Sequence, residues 1–430
     1  MRALGVRWRI LAILFVVSFV AYLLRMNLSV AAKMAMPELG ISEVRMGWVF
    51  AAFVWGYALF QLPGGVFGGR VGPRRALSVL CLAWVALTVL TGLVPGLVAT
   101  SAVGALLSLV LLRFAMGVVQ APLFPITAGA IAAWFPVGGW ALPNALLSTG
   151  LSLGAAFTPP LVAWVMLRLG WRESFYVAAP IALAMIGLWW WYATDTPEDH
   201  PAVEPDELAL IREGRRAGGR SGTRGAWMRA LRDRDVLLLT ASYLCMNYVF
   251  YIFFSWFYLY LVDVRGFGLF AGGFAASLPF VVGALAAGVG GWLCDRLCRR
   301  LGPRAGCRVP AIAGLGLVAA FLVAGAQARN ATAALVLLSL CFAATQLTEG
   351  AYWAAATYIG RRETATTTGL MNTGGNLGGV ISSPLVPWLA ERWGWIPALS
   401  SGALFALVGA VLWLFVRPER RLSTSEDGLC

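Results

Sequence analysis

A chain of 430 residues that is 60% hydrophobic and only 12% charged excludes an ordinary soluble domain, where about a quarter of residues carry charge. Its net charge of +13 does not argue for nucleic acid, because Lys and Arg gather in the cytoplasmic loops of membrane proteins and set their orientation. The only histidine, His200, is remote from the thiols of Cys294, Cys298 and Cys307, so the sequence predicts reduced cysteines, no metal and no cofactor.

The first apolar run, 8–32, follows a basic N-terminus (Arg2, Arg7, Arg9) and is too long for a cleaved signal peptide; it reads as a retained span. Inside it lies Arg25, with no acid in the same segment. Insertion scales place an arginine at a helix centre at roughly 2.5–3.5 kcal/mol unfavourable, so such a residue faces a water-filled cavity or a partner. One reading makes that partner the negative group of a visiting solute. The other lets Arg25 reach the far headgroups, about 22 Å along the helix from Ile10.

Further runs of spanning length follow at 46–68, 76–96, 103–133, 141–166 and 174–194, then at 236–262, 267–293, 309–328, 332–358, 366–390 and 396–416. The gap between the two sets of six holds eight arginines and nine acids and predicts a solvated linker, helical in part around Pro205–Arg216. The expected organisation is a bundle at 1–195, a cytoplasmic linker at 196–235, and a second bundle with a short tail at 236–430. With both termini cytoplasmic, inner segments hold 24 Lys/Arg and outer loops only 7.

A short repeat suggests duplication. After the second span comes Gly65-Val-Phe-Gly-Gly69-Arg70-Val-Gly72-Pro73-Arg74-Arg75. After the eighth comes Gly291-Trp-Leu-Cys-Asp295-Arg296, then Gly302-Pro303-Arg304. Glycine lets helix ends approach closely, and the basic cluster pins the turn at the headgroups.

These paired loops resemble the signature of the major facilitator superfamily. Within it the chain is similar to the anion:cation symporters, which include bacterial sugar-acid carriers and animal sialin. The resemblance rests on Leu24-Arg25-Met26-Asn27-Leu28-Ser29-Val30-Ala31, Gly56-Tyr57 through Gln61-Leu-Pro63-Gly64-Gly65, and Arg113-Phe-Ala-Met-Gly117 with Ala121-Pro122-Leu-Phe-Pro125. Trp134-Phe135-Pro136, Trp256-Phe257, Ser277-Leu278-Pro279-Phe280 and Asn372-Thr-Gly-Gly-Asn376-Leu-Gly-Gly379 extend it. There are departures. Many relatives carry an Asp where this chain has Leu24 and a proton-coupling Glu where it has Gln120; Gly69 replaces the usual Asp of the first loop, while the second loop keeps Asp295.

The resemblance implies an all-helical membrane protein, twelve spans in two pseudo-symmetric six-helix bundles around a central cavity, that moves a small organic anion by alternating access. It favours Tyr57, Gln120, Trp353 and Asn376 as cavity-lining residues. Arg25 is the expected carboxylate ligand, since a guanidinium fork matches a carboxylate bidentately. Arg113, embedded in the fourth span, is a second candidate, or a packing device. Tyr22 could cover an apolar face of the substrate, and Asn372 lies one turn from Asn376 in a polar stripe that reads equally as interhelical glue. Glu349, the only acid well inside a span, is the coupling candidate, with a fixed structural pairing as its alternative. Gly65, Arg70, Gly72, Arg74, Asp295 and Arg296 are expected to act as conformational-switch loops.

The expected partners are the anion, H+ or Na+, and the bilayer of the cell membrane, with the chain a monomer that binds no nucleic acid. A uniporter or exchanger without proton coupling is the alternative that Gln120 suggests. A sensor, scaffold or anion channel on the same fold is the alternative of another kind. No span carries a histidine or a paired-acid cluster, so an enzyme is not expected.

Overall fold

The computed structural model describes residues 5–97, 101–136, 139–212, 226–360 and 363–419. Expectations for Arg2, the linker at 213–225, Arg361, Arg362 and the tail at 420–430 lie outside them.

The regular elements among these residues are helices, as a bilayer demands of a chain that must satisfy its backbone groups internally. The first half consists of α1 (Val6–Leu39), α2 (Glu43–Val71), α3 (Pro73–Leu97), α4 (Ala102–Gln120), α5 (Leu123–Trp134), α6 (Ala141–Arg168) and α7 (Glu173–Tyr192). Two short helices follow, α8 (Pro205–Arg212) and α9 (Ala226–Arg232). Then come α10 (Arg234–Ser255), the single turn α11 (Phe257–Leu259), α12 (Leu269–Gln327), α13 (Ala331–Gly360), α14 (Thr364–Trp393) and α15 (Trp395–Trp413).

Among the described residues, nine helices are long and apolar enough to cross a membrane, with α4 and α5 counted as one; α2, bent near Pro63, makes ten. Two further spans complete the twelve. The 59-residue α12 contains two, because Gly302 breaks it at φ 82°. At 30 residues α14 is long enough, but the asparagines and threonines along it lower its hydropathy. The all-helical twelve-span reading therefore stands.

The chain divides into two compact units, Met1–Gly219 with Leu269–Ser277, and Arg220–Gly268 with Leu278–Cys430. In the first, glycines bring backbones together. A Cβ on Gly56 would lie 2.3 Å from the Phe114 carbonyl oxygen, and one on Gly117 would lie 2.1 Å from that of Phe53, so α2 and α4 cross with nothing between them. Gly154 of α6 abuts the Phe19 carbonyl of α1 in the same way, at 2.3 Å. In the second unit a Cβ on Gly378 of α14 would meet the Leu244 carbonyl of α10 at 2.2 Å, and one on Gly290 of α12 the Leu347 carbonyl of α13 at 2.1 Å.

The repeated loops share a backbone conformation. Gly72 has φ 90° and ψ 149°, and Gly302 has φ 82° and ψ 166°; each is followed by a proline entering the next helix. Only glycine adopts such angles without strain. Their surroundings differ. Asp195 packs against Gly72 and accepts from the Arg74 backbone N–H at 2.8 Å, while the Arg74 guanidinium donates to the Trp190 carbonyl at 2.6 Å and lies over the Trp190 ring. Gly302 has no such neighbour; Arg304 pairs with Glu419 at 3.5 Å, and Arg308 donates to the Val416 carbonyl. Gly65 is half-buried, whereas Arg70, Asp295 and Arg296 are exposed, with Arg296 lying over Trp292.

The first part of the linker is docked rather than wholly solvated. Glu207 of α8 accepts from the Val6 and Arg7 backbone N–H groups, both at 3.0 Å, and so caps α1. His200 is buried, its Nε2 3.1 Å from the Tyr192 carbonyl.

The glycine crossings generate a prediction. Gly117→Val places a branched side chain where the Phe53 carbonyl sits, a packing cost of at least about 1–3 kcal/mol. Detergent-purified protein should lose several degrees of thermal midpoint or fail to elute as a single species. Gly129→Ala, with open space around it, should behave as the parent. Equal stability of Gly117→Val and the parent would contradict the crossing.

Candidate functional site

The named residues fall into two groups, one in each unit. The first is built on Arg25. Its neighbours in α1 are apolar or small, so the helix buries almost every side chain from Leu23 to Ala32, and Arg25 is buried with them. Its guanidinium carbon lies 4.7 Å from the ring centre of Phe53, 5.0 Å from that of Tyr57 and 5.2 Å from that of Tyr22. Three aromatic faces thus surround one cation, an arrangement in which ring quadrupoles replace part of the lost hydration. Phe53 and Tyr57 stand one turn apart on α2, their rings stacked with centroids 6.1 Å apart. The sequence reading found Tyr22 and Tyr57 but not Phe53; the four-residue spacing from Tyr57 was the signal.

Arg113 of α4 is also buried and donates from Nη1 to the Arg25 backbone carbonyl at 3.4 Å, while its Nε finds no hydrogen-bond partner. Two turns on, Gln120 is buried and donates to the Ala21 carbonyl at 3.3 Å. The polar side of α4 is therefore bonded to α1 at carbonyls one turn apart. The chain contains no Asp or Glu before Glu38, nor any between Glu43 and Glu173, so the runs that hold these two cations are free of acids. Deeper in the same helix the buried Asn27 exchanges two hydrogen bonds with Ser174 of α7, to its carbonyl at 2.9 Å and from its hydroxyl at 2.8 Å. That lock fixes the rotation of α1, and no local pattern announces it.

The second group runs along α10. Tyr243, Asn247 and Tyr251 stand at successive turns, and Asn247 donates to the Tyr243 carbonyl at 2.9 Å. At one end of the stripe the Tyr243 hydroxyl donates to Glu349 Oε1 at 2.7 Å, and Trp353 Nε1 donates to the same oxygen at 2.9 Å. At the other, the Tyr251 hydroxyl donates to Asn376 Oδ1 at 2.8 Å, and Asn376 Nδ2 donates to the Asn372 carbonyl at 2.8 Å. Glu349 is half-buried, Asn376 is buried, and Trp353 is exposed over 39% of its surface. Two tyrosines on one face of α10, two turns apart, thus contact the coupling candidate and the candidate hydrogen-bonding residue Asn376 respectively. Glycines 375 and 379 of α14 let Tyr243 and Tyr251 lie flat against its backbone.

Chemically, the first group offers concentrated positive charge on an aromatic seat. The second offers one titratable carboxyl beside neutral donors and acceptors. Neither resembles a nucleophile-base pair.

The chain matches the Major Facilitator Superfamily over residues 14–357 and 297–428. It is 33% identical to the probable sulfoacetate transporter of Cupriavidus necator, covering 98% of this chain and 96% of that one. It is 30% identical to the probable galactarate/D-glucarate transporter of Bacillus subtilis, over 91% and 87% of the two chains. To the D-galactonate transporter of Escherichia coli it is 27% identical, over 95% of each. In fold it is similar to a bacterial homolog of the human lysosomal transporter Spinster in an inward-facing, unoccupied conformation, with a TM-score of 0.77 and 16% identity over 96% and 97% of the chains. The chain belongs to the major facilitator superfamily, as a multi-pass membrane transporter similar along nearly its whole length to carriers of organic acids.

Proposed function

We propose that this protein is a secondary active transporter of small organic anions, working by alternating access in the cell membrane with both termini cytoplasmic. The observation that carries the reading is the Arg25 guanidinium, buried in the first span on three aromatic faces with the Arg113 guanidinium bonded to its own carbonyl. Two embedded cations in acid-free spans attract an anion and repel a cation. The relatives named above carry sulfonate or carboxylate groups on short or polyhydroxylated skeletons, which a planar guanidinium fork binds equally well. On this reading Arg25 holds the anionic group, Arg113 adds positive potential, Tyr22, Tyr57 and Trp353 shape the pocket, and Gln120, Asn372 and Asn376 meet the polar body of the solute. Gly65, Gly72, Arg70, Arg74, Asp295 and Arg296 would set the balance between inward and outward states.

Proton coupling through Glu349 completes the proposal. Its carboxyl accepts from Tyr243, and two turns further along α10 Tyr251 donates to Asn376, so one helix contacts both the carboxyl and a candidate substrate ligand. Gln120 favours a second reading, a uniporter or exchanger, because it stands where related carriers keep a titratable acid.

Two measurements follow in proteoliposomes. Arg25→Lys keeps the charge but loses the fork and the flat face that stacks on the rings; substrate counterflow should fall about tenfold to a hundredfold, the equivalent of one charged hydrogen bond of about 1.5–3 kcal/mol, with expression unchanged. Full counterflow activity in that variant would remove Arg25 from the site. Glu349→Gln should abolish the acceleration of uptake by an inward proton gradient while exchange without a gradient persists. Retention of gradient-driven uptake in Glu349→Gln would assign the proton to another carrier, and a parent whose uptake ignores the gradient would support the second reading.

A further inference from the structure

The sequence reading left Cys294, Cys298 and Cys307 as reduced, metal-free thiols, yet the structure gathers them. Cys294 and Cys298 are four residues apart at the end of the eighth span and so share one helical face. Gly302 then turns the chain at φ 82°, and Cys307 returns from the first turns of the ninth span. The return is close because residue 306 is glycine: a Cβ there would lie 2.4 Å from the Cys298 Cα. Cys294 Sγ is 4.0 Å from Cys298 Sγ, which is 3.8 Å from Cys307 Sγ, and the three sulfur atoms all lie within 4.8 Å of one another.

That spacing has a chemical meaning. With metal–sulfur bonds of about 2.3 Å, three thiolates around one ion stand about 4.0 Å apart if trigonal and about 3.8 Å apart if tetrahedral. Two of the three edges already have those lengths. Cys294 and Cys307 are buried and Cys298 is half-buried, which leaves an entry path on one side. Five arginines, at 296, 299, 300, 304 and 308, flank the thiols in sequence, with Asp295 among them and Glu419 paired to Arg304. An excess of positive charge repels hard cations, which seek carboxylates. It also stabilises the net negative charge that three thiolates keep after binding a monovalent or divalent ion.

We propose that Cys294, Cys298 and Cys307 form a trithiolate site for a thiophilic d10 metal ion, of the class of Cu(I) or Zn(II). Binding releases the thiol protons to solvent, and for Zn(II) a water completes the fourth position. The ion ties the end of the eighth span to the start of the ninth, across the second copy of the repeated loop.

The test is anaerobic titration of reduced, detergent-purified full-length protein with Cd(II), read by cadmium–thiolate charge-transfer absorption. One equivalent per chain should saturate the band. Cys298→Ser and Cys307→Ser should each weaken binding at least tenfold, and Cys341→Ser, a buried thiol elsewhere, should leave it unchanged. Because a buried substitution can unfold the protein, alkylation of Cys298 in the folded parent provides a second measurement and should also remove the band. Absence of the band, a band that survives in the Cys298→Ser/Cys307→Ser double variant, or only weak uptake without a fixed stoichiometry would each overturn the proposal. So would a protein that forms a reducible Cys298–Cys307 disulfide in air but takes up no Cd(II) after reduction.

Discussion

The structure depends on keeping a guanidinium inside an apolar helix. Burying Arg25 in the first span costs roughly 2.5–3.5 kcal/mol on insertion scales, and a desolvated cation on an aromatic face recovers about 2 kcal/mol per well-placed ring. Phe53, Tyr57 and Tyr22 therefore offset much of the cost of burial without neutralising the charge. Rings hold the cation in place but leave its field intact, and a fixed positive field in acid-free spans is what an anion carrier needs. The Asn27–Ser174 lock, the Arg113 and Gln120 bonds to α1 carbonyls, and the glycine crossing of α2 on α4 all serve to hold that cation and its rings in register.

The second unit is built by the same rules with different chemistry. Its glycines on α14 press against α10 as those of α6 press against α1, and its loop glycine at 302 repeats the angles of Gly72. Where the first unit is cationic and aromatic, the second presents a carboxyl, tyrosines and asparagines, bonded in separate pairs along α10.

Much of this was legible in the sequence because membrane burial forces simple patterns. Spanning length and the polar gap located the twelve helices within a few residues, even where hydropathy alone would miss α14 or merge the two spans of α12. Arg25, Arg113 and Glu349 stood out because charge within an apolar run is costly. Residues whose importance comes only from distant contacts were not legible. Asp195 read only as the last residue of the first bundle, yet it anchors the first loop against Gly72 and Arg74; Glu207 read as a solvated charge, yet it caps α1. The three thiols of this loop read as reduced and metal-free, because Cys307 approaches the other two only through the Gly302 turn and the Gly306 contact.

The account is tested most directly by thermal unfolding of the purified protein with short carboxylates and sulfonates, each beside its uncharged amide, in the parent and in Arg25→Gln. A solute bound at Arg25 raises the parent's midpoint in a concentration-dependent way, by mass action. The predicted result is stabilisation of the parent by the anion alone and none in Arg25→Gln. Equal stabilisation by the amide, or an undiminished anion response in Arg25→Gln, would contradict it.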